Sequence, residues 1–203
     1  MLQLDSTMEQ QPPIYQPNEK PRNYAFLKLV LAWVVAIGIA VMLQSFVFQS
    51  YQVFGQSMQP TLDDGDYLII SKLGPTWSSI TNNEYIPERG DIVVVDPEDS
   101  PRLIKRVIGL PGERVEVKDG NLTIINDQHP NGFQPYDDIN MSDSEISGSI
   151  NTDIPEGQLF VVGDNTGSGG SSDSRNQLGT VPTDNVIGSL VLRLWPIEGV
   201  QRF

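Results

Sequence analysis

The chain has 203 residues, a net charge of −13, no cysteine and a single histidine, His129. The negative charge argues against a nucleic-acid partner, because phosphate binding needs a basic surface. Without cysteine there are no disulfides, no thiol catalysis and no cysteine metal site.

Residues 1–23, with "EQQPPIYQPNEKPRN", read as a disordered tail. Within residues 1–50, Lys20, Arg22 and Lys28 balance Asp5, Glu9 and Glu19, so the net negative charge lies in residues 51–203. From Leu29 to Leu43 every residue is apolar or glycine, and no charge occurs between Lys28 and Asp63. A helix over residues 29–48 covers roughly 30 Å, about one hydrocarbon thickness. A buried core helix would have a polar face or a similar partner downstream, and neither is evident. A cleaved signal peptide would have a shorter apolar run and a small-residue cleavage site. The expected element is a single transmembrane anchor over residues 24–48. Its basic flank is N-terminal, which places the tail in the cytoplasm and residues 49–203 across the membrane.

The body is predicted to be mainly β and antiparallel, barrel-like in architecture. Strand-like runs are "DYLIISKL" (66–73), "GDIVVVD" (90–96), "RLIKRVIGL" (102–110), "QLFVVGDN" (158–165) and "VIGSLVLRLW" (186–195). The run "ERVEVKDGNLTIIN" (113–126) reads as a hairpin, with Asp119-Gly120-Asn121 supplying the turn. No segment after the anchor shows convincing helical periodicity. Residues 127–157 are polar and acidic, and read as an insertion off the hairpin.

Elimination narrows the chemistry. One histidine cannot make the two-histidine helix of a metallopeptidase. His129 lies in "NDQHPNG", a turn, and reads as a solvated loop residue rather than a triad base. The motifs "DTG" and "DSG" of aspartic proteases are absent. Asp63, Asp64 and Asp66 read as solvated turn residues. What remains is a serine with a lysine base. Ser57, in "GQSMQPTL" (55–62), is the candidate nucleophile, and a hydroxyl attacks only when a base takes its proton. A lysine can be that base only when neutral, and burial lowers its pKa. Lys20 and Lys28 flank the anchor, Lys72 ends a strand and Lys118 abuts the hairpin turn. Lys105 alone stands in mid-strand, sharing a face with Leu103 and Val107 by alternation. Two readings of it stand side by side, a buried base and an outward edge-strand lysine.

A third stretch, "GDNTGSGGSSDSRNQLG" (163–179), favours the first reading. Asp173 and Arg175 are close enough to pair and shape a loop. A hydroxyl from Ser171, Ser172 or Ser174 could orient a neutral lysine.

At these residues the chain resembles the type I signal peptidases, membrane-anchored Ser/Lys proteases that remove signal peptides from exported proteins. Four blocks stand in the family's order: "GQSMQPTL", "GDIVVV" (90–95), "KRVIGLPGE" (105–113) and "GDN…SSDSR" (163–175). The resemblance runs from the anchor nearly to the C-terminus. It implies that Ser57 is the nucleophile, Lys105 the general base and Ser171 the serine that orients the amine. Asp173 and Arg175 match a supporting ion pair, Met58 and Pro60 shape the nucleophile turn, and Gly163, Asp164 and Asn165 open the last block. Position 55 is glycine where some members carry a serine that helps bind the oxyanion, so that role falls to backbone. No metal or organic cofactor is implied. The implied partners are preprotein signal peptides, cut after small residues of A-x-A type, and the lipid bilayer, with the enzyme working as a monomer. The catalytic domain is expected on the extracytoplasmic side, or in a thylakoid lumen.

Overall fold

The computed structural model describes residues 24–98, 100–135, 146–167, 171–176 and 178–196. The N-terminal tail and part of the polar insertion therefore lie outside the described residues. The chain divides into two compact units, one ending at Ile39 and one beginning at Ala40.

Helix α1 (Tyr24–Phe46) follows the uncharged run. None of its residues is buried, and it is the one helix among the described residues long and apolar enough to cross a membrane. It ends two residues before the predicted anchor limit, where β1 (Phe48–Gln52) begins.

Nine further strands follow: β2 (Tyr67–Ser71), β3 (Ile92–Val95), β4 (Leu103–Gly109), β5 (Arg114–Lys118), β6 (Asn121–Ile125), β7 (Ile150–Asp153), β8 (Gln158–Val162), β9 (Val181–Pro182) and β10 (Val186–Trp195). Seven form one antiparallel sheet in the order β1-β2-β10-β3-β4-β8-β9, and β6-β5-β7 form a second. The expectation of a mainly β, antiparallel body holds. The predicted hairpin is β5–β6, with Asp119 and Gly120 at positive φ in its turn. The insertion returns a strand, β7, to the other edge of β5.

One helix was not predicted, α2 (Leu73–Thr81). Pro75 sits in its first turn, where a missing N–H costs nothing, and Asn82 caps it in the left-handed conformation. Its Ser and Thr residues are weak helix formers, so propensity alone hides it.

The core explains the sequence pattern. In β3 all four residues are buried: Ile92 and Val94 pack below the turn that carries Ser57, with Val53, Met58, Leu62, Leu68, Ile70 and Leu190. Val93 and Val95 face the other way, onto Val107, Leu159, Val161, Val181 and Val186. A strand covered on both faces reads as a continuous apolar run, hence "IVVV". Strands β5 and β6 instead alternate, placing Val115, Val117, Leu122 and Ile124 against Ile108, Phe160 and Val162.

Candidate active site

Ser57 sits in the turn between β1 and β2. Gly55 takes φ +87°, a conformation that suits glycine, and its N–H is held by Asp64 Oδ1 at 2.7 Å. The Gln59–Pro60 peptide is cis. Met58 is almost completely buried and anchors the turn from below. Ser57 itself stays partly open to solvent.

Lys105 lies in β4, paired with Val93 of β3. The residue is 2% exposed. The amine reaches Ser57 Oγ at 2.7 Å and the Ile104 carbonyl at 3.0 Å. Of the two readings of this lysine, the buried one is what the fold contains. Burial lowers its pKa from 10.5 to about 8, against the upward pull of the Asp173 and Asp164 carboxylates, with Arg175 adding to the fall. Roughly a tenth of the amine is therefore neutral at pH 7 and most of it above pH 8, and a neutral amine can accept a hydroxyl proton.

The loop after β8 closes the site. Gly163 lies so close to the Ser57 carbonyl that a Cβ there would collide with it and stand 2.7 Å from Ser171 Oγ. Asn165 binds the Ser57 turn twice, its N–H to Ser57 O and its Nδ2 to Gln56 O, both at 3.0 Å. Ser171 is buried close by; its hydroxyl makes no well-formed hydrogen bond and lies beside Asp173. Ser174 instead accepts from the Val161 N–H, and Ser172 is exposed.

Asp173 is fully buried and pairs with Arg175 at 2.8 Å, while also accepting from the Gly163 N–H at 3.2 Å. Burial pushes its carboxyl up, but the Arg175 guanidinium, helped by Ser171 and the Gly163 amide, holds it below the usual carboxylate range.

Two residues of the assembly escape a motif-by-motif reading. Arg106 neighbours Lys105 and points to the opposite face, where it grips Asp164 through Nε at 2.8 Å and Nη2 at 2.5 Å. Thr61, in the Ser57 turn, gives its hydroxyl to Asp164 at 2.5 Å. Asp164 thus ties the lysine strand to the serine turn. The signal was present: an Arg at mid-strand needs an acidic partner when buried. Asp66 is also not the solvated turn residue expected. It is 3% exposed, accepts from the Asp63 N–H at 3.0 Å and pairs with Arg193 at 3.3 Å. His129 is exposed in the loop after β6, its ring tilted against that of Phe133. Among the described residues no cluster could hold a metal ion.

A mainly β body thus brings a serine hydroxyl and a buried lysine amine into hydrogen-bonding distance beside the loop that follows β8. The comparisons identify the family. The family model "Signal peptidase, peptidase S26" matches residues 26–195. Signal peptidase I T of Bacillus subtilis (strain 168) is 35% identical over 192 residues, covering 90% of this chain and 92% of that one. Signal peptidase I of Bacillus licheniformis is 34% identical, over 91% of this chain and 95% of its own. The probable signal peptidase I-2 of Synechocystis sp. is 32% identical, over 90% and 79%. The chain belongs to the signal peptidase family, peptidase S26, and is a serine endopeptidase.

Proposed function

We propose that this protein is a membrane-anchored, monomeric endopeptidase that removes N-terminal signal peptides from exported preproteins, after small residues of A-x-A type. Ser57 is its nucleophile and Lys105 its general base. The observation that carries the reading is the 2.7 Å contact between Ser57 Oγ and an amine that burial lowers to about 8. Helix α1 is the anchor, with the N-terminal tail in the cytoplasm and the β-rich body on the extracytoplasmic side.

Neutral Lys105 takes the Ser57 proton as Oγ attacks the scissile carbonyl. The backbone N–H of Ser57 donates to the oxyanion. The lysine ammonium then protonates the leaving amine, the C–N bond breaks, and an acyl ester remains on Ser57. Water, deprotonated by Lys105, hydrolyses the ester and frees the hydroxyl. Ser171 is the hydroxyl best placed to orient the amine, because Ser174 is committed to Val161. Asp173, Arg175 and Asn165 shape the loop that brings it there. Met58 and Pro60 shape the turn on the serine side.

The test is cleavage of a preprotein in detergent by wild type, Ser57→Ala and Lys105→Ala. Both variants are expected to fold and to lose cleavage. Retained cleavage by either overturns the assignment of that residue.

A further inference from the structure

Gly163, Asp164 and Asn165 follow β8 in succession, and each holds a different part of the site. Gly163 lies against the Ser57 carbonyl and Ser171 Oγ. Asp164 holds Thr61 and Arg106, the neighbour of Lys105 in β4. Asn165 holds the backbone of Ser57 itself, through its N–H to Ser57 O and its Nδ2 to Gln56 O, both at 3.0 Å. These two carbonyls belong to the peptide planes on either side of the Ser57 Cα. A peptide unit is planar, so holding its oxygen holds its plane. Two held planes set the φ and ψ of Ser57, and with them the direction in which its side chain leaves the backbone.

The first plane has a second consequence. The Gln56–Ser57 peptide is trans, so its C=O and N–H point to opposite sides. Asn165 Nδ2 and, at 3.2 Å, the Gln59 N–H take the oxygen. The Ser57 N–H is thereby aimed away from both donors, and no described residue accepts from it. The Gly55 N–H, by contrast, is already taken by Asp64 Oδ1 at 2.7 Å. A donor on a peptide oxygen also polarises that peptide and strengthens its N–H.

We propose that Asn165 is a positioning residue for the oxyanion: by holding the Gln56 and Ser57 carbonyls it presents the Ser57 N–H to the oxygen of the scissile carbonyl. The proposal rests on the reading of Ser57 as nucleophile and of its N–H as oxyanion donor. With glycine at position 55 there is no side-chain hydroxyl beside that N–H, so its aim carries more of the stabilisation. The residue type follows from the task. Asparagine has a backbone donor and a side-chain donor a short reach apart, which matches the carbonyls of consecutive residues. Aspartate has the same shape, but its side chain only accepts when ionised.

The test compares full-length wild type, Ser57→Ala, Asn165→Ala and Asn165→Asp in detergent, with a preprotein and with a short peptide aldehyde ending in alanine. On addition of the aldehyde, Oγ bonds to its carbonyl carbon and the Oγ proton passes to Lys105. The aldehyde oxygen takes the π electron pair and occupies the oxyanion position. The matching peptide alcohol cannot form this bond and reports ground-state binding alone. Asn165→Ala is expected to lower kcat roughly 10–100-fold, short of the full loss of an oxyanion donor, with KM unchanged. It is expected to weaken the aldehyde by a similar factor, to leave the alcohol unchanged, and to keep the pH midpoint of kcat/KM set by Lys105. Asn165→Asp, which turns a carboxylate on the Gln56 carbonyl, is expected to lose more. Unchanged kcat and aldehyde affinity in both variants overturn the proposal, while an inactive Ser57→Ala leaves the reading of Ser57 standing. A displaced pH midpoint in Asn165→Ala places its effect on Lys105, and equal weakening of aldehyde and alcohol places it on substrate binding; either overturns the proposal. Cleavage by Ser57→Ala overturns the reading and the proposal together. If circular dichroism finds Asn165→Ala unfolded, the contrast between aldehyde and alcohol in Asn165→Asp, which keeps the backbone N–H, decides in the same way.

Discussion

The two sheets treat charge in opposite ways. In the three-stranded sheet, β5 and β6 alternate buried Val, Leu and Ile with exposed or half-buried residues, mostly polar, and the ion pair Arg114–Asp153 lies in solvent. In β4 of the larger sheet, Lys105 and Arg106 are both buried in consecutive positions, one on each face. The first arrangement asks only for a hydrophobic face. The second is tolerable only because Arg106 has Asp164, and because Lys105 can shed its charge. On the proposed function, this is where stability is exchanged for chemistry, since an isosteric apolar residue would sit more easily at position 105.

The sharpest way to break this contrast is to remove one side of the buried pair. Arg106→Ala leaves Asp164 as an uncompensated buried charge and is expected to cost about 3–5 kcal/mol in urea unfolding. A cost indistinguishable from that of a surface substitution would mean that Asp164 is not held as described. Next comes Gly163→Ala, whose Cβ meets the backbone carbonyl of Ser57 and the Ser171 hydroxyl. It is expected to lower kcat about 100-fold by displacing the nucleophile, with the fold retained by circular dichroism. Unchanged kcat would show that the loop has room it is not seen to have.

A subtler effect comes from Lys105 itself. Its amine titrates at about 8 in the folded protein and near 10.5 when unfolded. Below pH 8 both states are protonated, and the folded state bears the full cost of a buried ammonium. Between pH 8 and 10.5 the unfolded chain holds the extra proton, so this group's contribution to stability rises with pH. Lys105→Met is therefore expected to be inactive but more stable than wild type at pH 7, with the gap in urea midpoint narrowing as pH rises toward 10.5. A less stable variant would argue against the desolvation cost. The smallest effect is expected in the other sheet, where Arg114→Ala should leave the thermal midpoint unchanged, as exposed pairs contribute little.

These contrasts also mark what could be read in the sequence. The alternating hairpin was legible because its faces differ. Lys105 was legible as a candidate because it alone stood in mid-strand, but alternation could not say whether its face was core or solvent. Val93 and Val107 settle that in three dimensions, since they are buried around it. Arg106, Thr61 and Arg193 were not singled out, because their side-chain partners lie 45 or more residues away, and Asp66 looked like one of several turn carboxylates. Helix α2 was missed because Pro75 and the Ser/Thr content mask a stripe of only three residues. Strand β1 was hidden because "FQSYQ" continues an apolar run and becomes a strand only by pairing with β2.

The central claim is that a neutral Lys105 is the base for Ser57. It is tested most directly by the pH dependence of kcat/KM for preprotein cleavage, which reports the free enzyme's essential groups. Activity is expected to be low at pH 6 and to rise through a midpoint near pH 8, the value burial imposes on this amine. A profile flat from pH 6 to 9, or one that falls across that range, would contradict the account.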